Sequence, residues 1–282
     1  MQLELPGGRT VSRQTPVIVG ILNVTPDSFS DGGSYPSTDD AVSAARRMIN
    51  DGADIIDIGG ESTRPGAQRV SAREQIQRVV PTIERLANEF DTPLSIDTTR
   101  SEVADAALRA GASIINDVSA GREASDMFTL AAERDAPIIL MHMLGEPTTM
   151  QASPTYDNVV DEVAAFLGQR VEQAASAGVD RSKIMIDPGI GFGKTLDHNL
   201  SLLANLDRFT SMGYPVMLGA SRKRFIDAIC DEPEAAKRVF GTVATTALGI
   251  GQGVRMFRVH DVAANRQAAD VAFRIVQSRP ES

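Results

Sequence analysis

Eight short apolar segments of the sequence each finish in a polar side chain that could bind a ligand or carry a proton. These polar ends are Asn23, Asp57, Asp97, Asn116, His142, Asp187, Ser221 and His260. A single polar residue at such a place is most often a helix cap or a water-facing strand end. Eight successive apolar segments that each end in a polar residue, several of them Asp or Asn, indicate one shared ligand site.

The residue types at these ends indicate the chemistry of the ligand. Carboxylate and amide oxygens suit a ligand edge that presents paired N–H donors, the reverse of an arginine gripping a carboxylate. They are supplied by Asp97, Asn116 and Asp187. Cationic and donor side chains, together with a helix N-terminus, suit phosphate or diphosphate. They are Lys223, Arg258 and His260. Together, the acceptor set and the cationic donor set indicate a ligand with an amino-heterocycle at one end and a phosphate group at the other.

The segment "IMIDPGIGFGKTLDHN", residues 184–199, contains a Gly-Lys-Thr that is typical of nucleotide phosphate loops. Such a loop has a glycine, four residues and then Gly-Lys-Ser/Thr. The required glycine is replaced by Pro188, and Gly189 leaves only three intervening residues, so the spacing fails. We therefore interpret Asp187 as the functional residue, the glycines as a compact loop beside a flat ring, and Lys194 as a surface or loop lysine.

Longer stretches of helical period separate the apolar segments, which lie at residues 17–23, 54–60, 93–98, 113–118, 137–143, 183–189, 215–221 and 254–260. Continuous apolar runs are typical of parallel strands that are buried on both faces. Eight strand–helix units predict an α/β fold, a (β/α)8 TIM barrel with its active site at the C-terminal strand ends. We expect one domain over residues 1–282, with a core at roughly 16–276. A doubly wound open sheet is the alternative that periodicity leaves open.

The helical stretches carry recognisable ends. Ser71 and Glu74 have the spacing of a capping box. The helix that they open would bend at Pro81. Gly52 and Gly178 are placed to end two other helices.

Composition excludes several classes of partner. The net charge of −9 makes a nucleic-acid surface unexpected. The one cysteine, Cys230, rules out an intrachain disulfide and favours a reducing compartment. The first ten residues lack the apolar core of a signal peptide, and no run approaches the roughly 18 apolar residues of a membrane span. We therefore expect a cytoplasmic protein with small-molecule substrates and neither nucleic-acid nor membrane partners.

Eight segments, in chain order, resemble the successive motifs of the dihydropteroate synthase family. They read GILNVTPDSFSDGG, DIGGESTRPGA, SIDTTR, INDVSAG, MHMLGEPTTMQ, DPGIGFGKT, GASRKRF and RVHD, and cover roughly residues 16–276. The resemblance implies a pterin-binding TIM-barrel transferase of folate biosynthesis. Such an enzyme condenses (7,8-dihydropterin-6-yl)methyl diphosphate with 4-aminobenzoate, and releases diphosphate and 7,8-dihydropteroate. It also implies a homodimer and Mg²⁺ as cofactor.

The resemblance assigns roles to residues of this chain. The implied catalytic residues are Asp97, Asn116, Asp187, Lys223, Arg258 and His260. The pterin ring would contact Asp97, Asn116, Met141, Asp187, Phe192, Gly219 and Lys223. The diphosphate would contact Asn23, Thr63, Arg64, Arg258, Val259 and His260, with Asn23 also contacting Mg²⁺. The 4-aminobenzoate would contact Thr25, Pro26, Phe29, Pro65, Ser221, Arg222 and Lys223. Sulfonamides, as mimics of aminobenzoate, would compete there.

Some alternatives stay open at this point. A methyltetrahydrofolate-dependent methyltransferase shares the fold, but it has no use for a diphosphate clamp such as Arg258 and His260. A non-catalytic pterin-binding paralogue is the second alternative. His142 is either a core histidine or a ligand contact, and Asp57 is expected to support the ligand site from behind. His198 is expected on a helix surface.

Overall fold

The computed structural model describes residues 2–8, 10–12, 14–25, 37–62, 69–145, 150 and 153–278. The strands are β1 (Gln2–Glu4), β2 (Thr10–Ser12), β3 (Val17–Asn23), β4 (Ile55–Gly59), β5 (Leu94–Asp97), β6 (Ile114–Asp117), β7 (Ile138–Met141), β8 (Ile184–Asp187), β9 (Met217–Leu218) and β10 (Met256–Val259). Each of the eight predicted apolar segments therefore contains a strand.

Helices follow the barrel strands in alternation. The α-helices are α1 (Thr38–Asn50), α2 (Ala72–Glu89), α3 (Ser101–Ala110), α4 (Met127–Glu133), α5 (Val159–Ser176), α6 (Leu196–Ala204), α7 (Leu206–Thr210), α8 (Arg224–Cys230), α9 (Val239–Gly251) and α10 (Val262–Gln277). None of these helices, within the part of the chain that the structure describes, has the length and apolar character needed to cross a membrane.

The eight strands from β3 to β10 form one parallel sheet, in the order β8-β7-β6-β5-β4-β3-β10-β9. The two ends of this sheet meet through a parallel bridge between Ile186 of β8 and Val216, just before β9. The amide of Ile186 also donates to the carbonyl of Pro215 at 3.0 Å. The sheet therefore curls into a nearly closed barrel, so the prediction of a TIM barrel is confirmed and the open sheet is excluded.

Side chains alternate between the barrel interior and the helix layer, as the period of two in a strand requires. The lower interior is apolar and is filled by Val17, Val19, Ile55, Ile114, Ile139, Met185, Met217 and Met256. The intervening strand residues pack against the helices, as Ile56, Ile96 and Ile115 do. Two positions further along β4, β6, β8 and β10, the interior residue is polar (Asp57, Asn116, Asp187 and Arg258), and this change marks the floor of the ligand site.

An antiparallel hairpin of β1 and β2, which the sequence analysis did not predict, joins the lower interior. Leu3, Leu5 and Val11 are 1%, 2% and 7% exposed, and they belong to the same apolar cluster as the interior strand residues. The hairpin therefore adds three apolar side chains to the barrel core at the end remote from the polar residues.

Helix caps agree with the sequence except in one detail. Ser37 and Asp40 form a complete capping box at α1. Ser71 accepts from the amide of Glu74, but the carboxylate of Glu74 binds Arg78 instead of returning to Ser71. The capping box predicted at Ser71 is therefore wrong in its second half, because a salt bridge one turn along the helix takes the carboxylate. The helix continues through Pro81 as α2.

Candidate active site

A buried cluster of charges lies across the barrel interior. Arg258 of β10 donates from Nε to Oδ2 of Asp57 and from Nη2 to Oδ2 of Asp97, each at 2.6 Å. Asp57 of β4 also accepts from the hydroxyl of Ser95 and, at 3.1 Å, from the side-chain amide Nδ2 of Asn116. One arginine therefore contacts two carboxylates and offsets one of their two negative charges, and the hydrogen bonds link β4, β5, β6 and β10 to one another.

Two oxygens of this cluster have no hydrogen-bond partner within the part of the chain that the structure describes. They are Oδ1 of Asp97 and Oδ1 of Asn116, both buried. Their residues are directly paired on the adjacent strands β5 and β6. A buried acceptor left without a donor costs about 1–3 kcal/mol, so this pair is suited to a ligand that brings two N–H donors.

The environment of Asp97 places its ionisation near neutrality. Burial raises the pKa of the Asp97 carboxyl to about 7, with the charge of Arg258 opposing the shift and that of Asp57 adding to it. Burial by itself would lower the pKa of Arg258, but Asp57 and Asp97 outweigh it and raise that pKa above its usual value. Arg258 therefore stays charged, whereas Asp97 changes its charge near pH 7.

A third carboxylate, Asp187, ends β8 close to Lys223. Its Oδ1 accepts from the amide of Gly189 at 2.7 Å. Burial raises the pKa of Asp187, and the charge of Lys223 works against that shift. Burial likewise lowers the pKa of Lys223 to about 8, again with Asp187 opposing. The ammonium donates to the carbonyl of Ile190 and lies 4.4 Å from the centre of the Phe192 ring.

Two glycines keep backbone and ligand space open around Asp187. A Cβ at Gly189 would lie 1.9 Å from the carbonyl oxygen of His142, and the φ of +68° is also unfavourable for other residues. A Cβ at Gly219 would lie 3.4 Å from Oδ2 of Asp187. Only glycine fits position 189 without displacing backbone, which agrees with the compact loop predicted after β8.

One wall of the site is apolar. Val118, Met141, Met143 and Met150 form a separate small cluster, with Phe192 packed against it. Adaptable methionine side chains beside an aromatic ring suit the face of a flat heterocycle. Predicted contacts Met141 and Phe192 therefore lie in one wall, next to the carboxylates predicted to hold the ring edge.

The ends of β9 and β10 bring three other predicted residues together. Oγ of Ser221 lies 2.9 Å from Nδ1 of His260 and accepts from the His260 amide at 3.1 Å. Arg222 donates to both oxygens of Asp261, at 2.9 and 2.5 Å. Ser221 therefore orients the imidazole, while the guanidinium of Arg222 is held by a carboxylate, which leaves it less able to contact 4-aminobenzoate.

The remaining predicted residues are placed less centrally. The side chain of Val259 packs in the outer core between strands and helices, so only its backbone could contact a diphosphate. Thr25 is buried beyond the end of β3. The other predicted contacts, Pro26, Phe29, Thr63, Arg64 and Pro65, lie outside the described residues.

Asn23, the last residue of β3, offers one amide oxygen for a metal ion. Among the described residues, no group of three or more His, Cys, Asp or Glu side chains is arranged to hold one. Mg²⁺ in proteins commonly keeps several waters and binds one or two side chains plus substrate phosphates. The single oxygen of Asn23 fits an Mg²⁺ that is carried mainly by a diphosphate, and it does not fit a metal held by the protein alone.

Lys194 lies in the loop between β8 and α6, as expected, but the expectation that it could be a surface residue was wrong. Lys194 is 3% exposed, and its Nζ lies 2.9 Å from Nδ1 of His142. Burial and the charge of Lys194 lower the pKa of His142 to about 2, and the ring meets Phe166 edge-on at 4.9 Å. His142 is therefore a neutral core histidine. Thr195 and His198 form the capping box of α6, so the Gly-Lys-Thr segment has structural roles that its failed spacing concealed.

Sequence reasoning also missed Ser95, which fixes one oxygen of Asp57. A signal was present, because Ser95 lies two residues before Asp97, and alternation puts both on the same face of β5. Asp57 was expected to support the site from behind, and its contacts with Ser95, Asn116 and Arg258 agree with that role.

Comparisons with known proteins identify the family. The family described as "Pterin binding enzyme" matches residues 19–260. A dihydropteroate synthase from Streptococcus pyogenes is 50% identical over 265 residues, which are 94% of this chain and 97% of that protein. The chain belongs to the dihydropteroate synthase family. The prediction that it is such a synthase, and hence a transferase, is confirmed.

Solved structures of this family agree with the fold. A Yersinia pestis dihydropteroate synthase in complex with a sulfonamide drug has a TM-score of 0.93 at 41% identity, and the match covers 99% of this chain and all of that one. A Xanthomonas albilineans dihydropteroate synthase with 4-aminobenzoic acid has a TM-score of 0.92 at 44% identity, and covers 99% of both chains. Both members of the family bind small molecules.

We predict that Arg258→Met destabilises the protein more at pH 8 than at pH 5. The variant leaves Asp57 and Asp97 buried without their cation, which typically costs about 3–5 kcal/mol. Without the cation, the folded-state pKa of Asp97 rises further above the value in the unfolded chain. Stability is then lost as pH rises from the unfolded pKa through the folded one. Urea denaturation at the two pH values measures the difference from the unmodified protein.

Arg255→Met is the matched control, since Arg255 lies three residues earlier, stacks on Phe273 and donates to the carbonyls of Ile250 and Val254. Its cost should be nearly the same at both pH values. An Arg258→Met penalty that does not change with pH would contradict the assignment of Arg258 as the countercharge of the two carboxylates.

Proposed function

We propose that the cluster at the barrel mouth binds the pterin ring of (7,8-dihydropterin-6-yl)methyl diphosphate and joins it to 4-aminobenzoate, giving 7,8-dihydropteroate and diphosphate. The observation that carries this proposal is the pair of buried acceptors that have no donor among the described residues, Oδ1 of Asp97 and Oδ1 of Asn116. A pterin presents a ring N–H and an amino group along one edge, which supplies the donors that these two oxygens lack.

The surroundings match the rest of the ring. Asp187 adds a third carboxylate, and Lys223 provides a donor for the acceptor atoms of the ring. The apolar wall of Val118, Met141 and Met143 suits one face. These polar groups are held in position before the ring binds, and such electrostatic preorganisation lowers the barrier to reaction.

The reaction breaks the C–O bond between the pterin methylene and the diphosphate, and forms a C–N bond to the arylamine. Positive charge develops on the methylene carbon as the anion leaves, and the carboxylates of Asp97 and Asp187 stabilise the electron-poor ring. The amine is itself the nucleophile, and it loses one proton once the C–N bond has formed. Orientation by the pocket is therefore needed more than a strong base.

Donors for the diphosphate lie at the ends of β3 and β10. We assign Asn23 and His260 to it, with the imidazole oriented by Ser221. When Mg²⁺ is bound, it would be held by the diphosphate and the amide oxygen of Asn23, and would neutralise charge on the leaving group. Thr63 and Arg64 stay predictions for the same anion.

We assign Ser221 and Lys223 to 4-aminobenzoate, together with Thr25 and the predicted loop residues Pro26, Phe29 and Pro65. The Xanthomonas albilineans relative with bound 4-aminobenzoic acid supports a site for that acid. The Yersinia pestis relative with a bound sulfonamide supports competition by such drugs. A cytoplasmic location and the absence of nucleic-acid or membrane partners also stay predictions.

We predict that the purified protein, given Mg²⁺, the pterin diphosphate and 4-aminobenzoate, forms 7,8-dihydropteroate. In Asn116→Leu, one ring donor loses its acceptor, so KM for the pterin diphosphate should rise about 10- to 100-fold. KM for 4-aminobenzoate should change less than about twofold. Steady-state assays with either substrate varied measure both values.

Asp187→Asn and Lys223→Ala should lose turnover while keeping the circular dichroism spectrum of the folded protein. Pterin binding without product at saturating substrates would favour the non-catalytic alternative. Near-normal rates in both variants would mean that the pocket is placed wrongly.

We predict that affinity for a pterin without the diphosphate peaks between about pH 7 and 8. Because the pKa of Asp97 is raised to about 7, its carboxyl is mostly protonated at pH 6 and donates instead of accepting. Since Lys223 has already lost about half of its charge at pH 8, binding should then be about fivefold weaker at pH 6 than at pH 8. Because the pKa of Lys223 is lowered to about 8, the ammonium is lost at higher pH and affinity falls again. Isothermal titration across this range measures both limbs.

Asp97→Asn should remove the acidic limb and keep the alkaline one, since the amide does not titrate. The acidic limb therefore reports the ionisation of Asp97 beside Arg258. An affinity that does not change between pH 6 and pH 8 in the unmodified protein would rule out the ionised Asp97 as the acceptor.

We propose that the protein forms a homodimer through α9 and α10. Phe240 and Leu248 on α9 are 82% and 66% exposed, and Val271 and Ile275 on the adjacent α10 are 57% and 63% exposed. The helical spacing aligns each pair along one outer face. Neighbouring exposed apolar side chains of this kind mark interaction surfaces.

Sedimentation velocity at micromolar concentration should find a dimer that Leu248→Glu converts to a monomer, because a charge would be buried in the apolar interface. Leu200→Glu, at an exposed leucine of α6, is the control and should stay dimeric. A monomeric unmodified protein, or a Leu248→Glu dimer, would refute this interface.

A further inference from the structure

Lys194 is a buried cation whose partners, in the described part of the chain, are neutral. Its Nζ donates to the carbonyl of Phe192 at 3.0 Å and to that of His142 at 3.4 Å, and lies 2.9 Å from Nδ1 of His142. Burial lowers its pKa well below the ordinary value, and the charge of Lys223 adds to that shift. The Gly-Lys-Thr motif that contains it is not used by any step of the proposed reaction.

The loop of residues 188–193, directly before Lys194, carries three supports of the pterin pocket. The amide of Gly189 holds Oδ1 of Asp187. The carbonyl of Ile190 accepts from the ammonium of Lys223, and the ring of Phe192 lies under the same ammonium. The position of this loop therefore sets the geometry of both Asp187 and Lys223.

Lys194 ties the end of that loop to the end of β7. The carbonyl of Phe192 belongs to the loop, and the carbonyl and ring of His142 follow β7 directly. The amide of His142 in turn donates to the carbonyl of Asp187 at 3.0 Å. An amine that contacts both segments at once fixes their separation. The two carbonyls could not do so alone, because neither can donate a hydrogen bond to the other.

We propose that Lys194 is a positioning residue for the pterin substrate: by joining Phe192 to His142 it holds the loop on which Asp187 and Lys223 depend. The inference rests on the proposed function, because it concerns the same pocket. If Lys194 served folding alone, its loss would lower stability but would not weaken the affinity for one substrate more than for the other. Comparing the two substrates therefore distinguishes a structural role from a positioning role.

Lys194→Met keeps the length and burial of the side chain but removes its donors. We expect the Kd for a pterin and the KM for the pterin diphosphate to rise about fivefold or more, while KM for 4-aminobenzoate stays within about twofold. Lys183→Met is the matched control. Lys183 is also buried and pairs with Asp135, but it precedes the first residue of β8, at the end of that strand remote from Asp187. This variant should lower the melting temperature and leave both substrate constants unchanged.

A second pair of variants covers the case in which Lys194→Met does not fold. His142→Asn can place an amide oxygen near the position of Nδ1 and keep an acceptor for Lys194, whereas His142→Leu cannot. The leucine variant should bind pterin more weakly than the asparagine variant by about threefold or more. Equal pterin affinity in the two would overturn the proposal.

The proposal is also overturned if Lys194→Met folds and leaves the pterin Kd unchanged, or if KM rises equally for both substrates. In either case the unmodified protein still makes product, so the proposed function survives. If the unmodified protein neither binds a pterin nor makes product, the proposed function fails and this inference fails with it. Titration calorimetry with the pterin and the two-substrate assay therefore separate the two failures.

Discussion

The contact of Arg258 with Asp57 and Asp97 is the interaction on which the rest of the site depends. Two carboxylates in the barrel interior repel each other and are poorly solvated, so neither stays charged there without a cation. Arg258 donates to one oxygen of each at 2.6 Å. This geometry offsets one of the two negative charges and, among the described residues, still leaves Oδ1 of Asp97 without a donor, so the contact that stabilises the cluster also leaves an acceptor for a ligand.

The barrel divides its interior to make such a cluster possible. Below it, apolar strand residues and the side chains of the β1–β2 hairpin form a core of their own. Above it, the loop after β8 carries glycines where a Cβ would meet backbone. The charges are therefore held between a core without polar atoms and a loop with little side-chain bulk, and fixed dipoles act most strongly in such a water-poor space.

The features that sequence predicted were those set by local periodicity. The eight strands, and the alternation that puts Asp97 and Asp187 at their C-terminal ends, follow from runs and spacings within a few residues. The Arg258–Asp57 contact joins positions 201 residues apart, and nothing local specifies it. Lys194 was misjudged because a lysine in a polar, glycine-rich loop is usually exposed, and its partners His142 and Phe192 come together only when β7 and β8 pair.

The balance of charge in the pocket argues for an outside cation when the diphosphate binds. Two of the three guanidinium nitrogens of Arg258 already serve Asp57 and Asp97, and Lys223 faces Asp187. Among the described residues, the two cations of the pocket are outnumbered by its three carboxylates, Asp57, Asp97 and Asp187, which suits a neutral pterin with N–H donors but leaves no positive charge for a diphosphate. A metal ion that arrived with the substrate, as we propose for Mg²⁺, would supply that charge without disturbing the cluster, and the single oxygen of Asn23 would be enough to receive it.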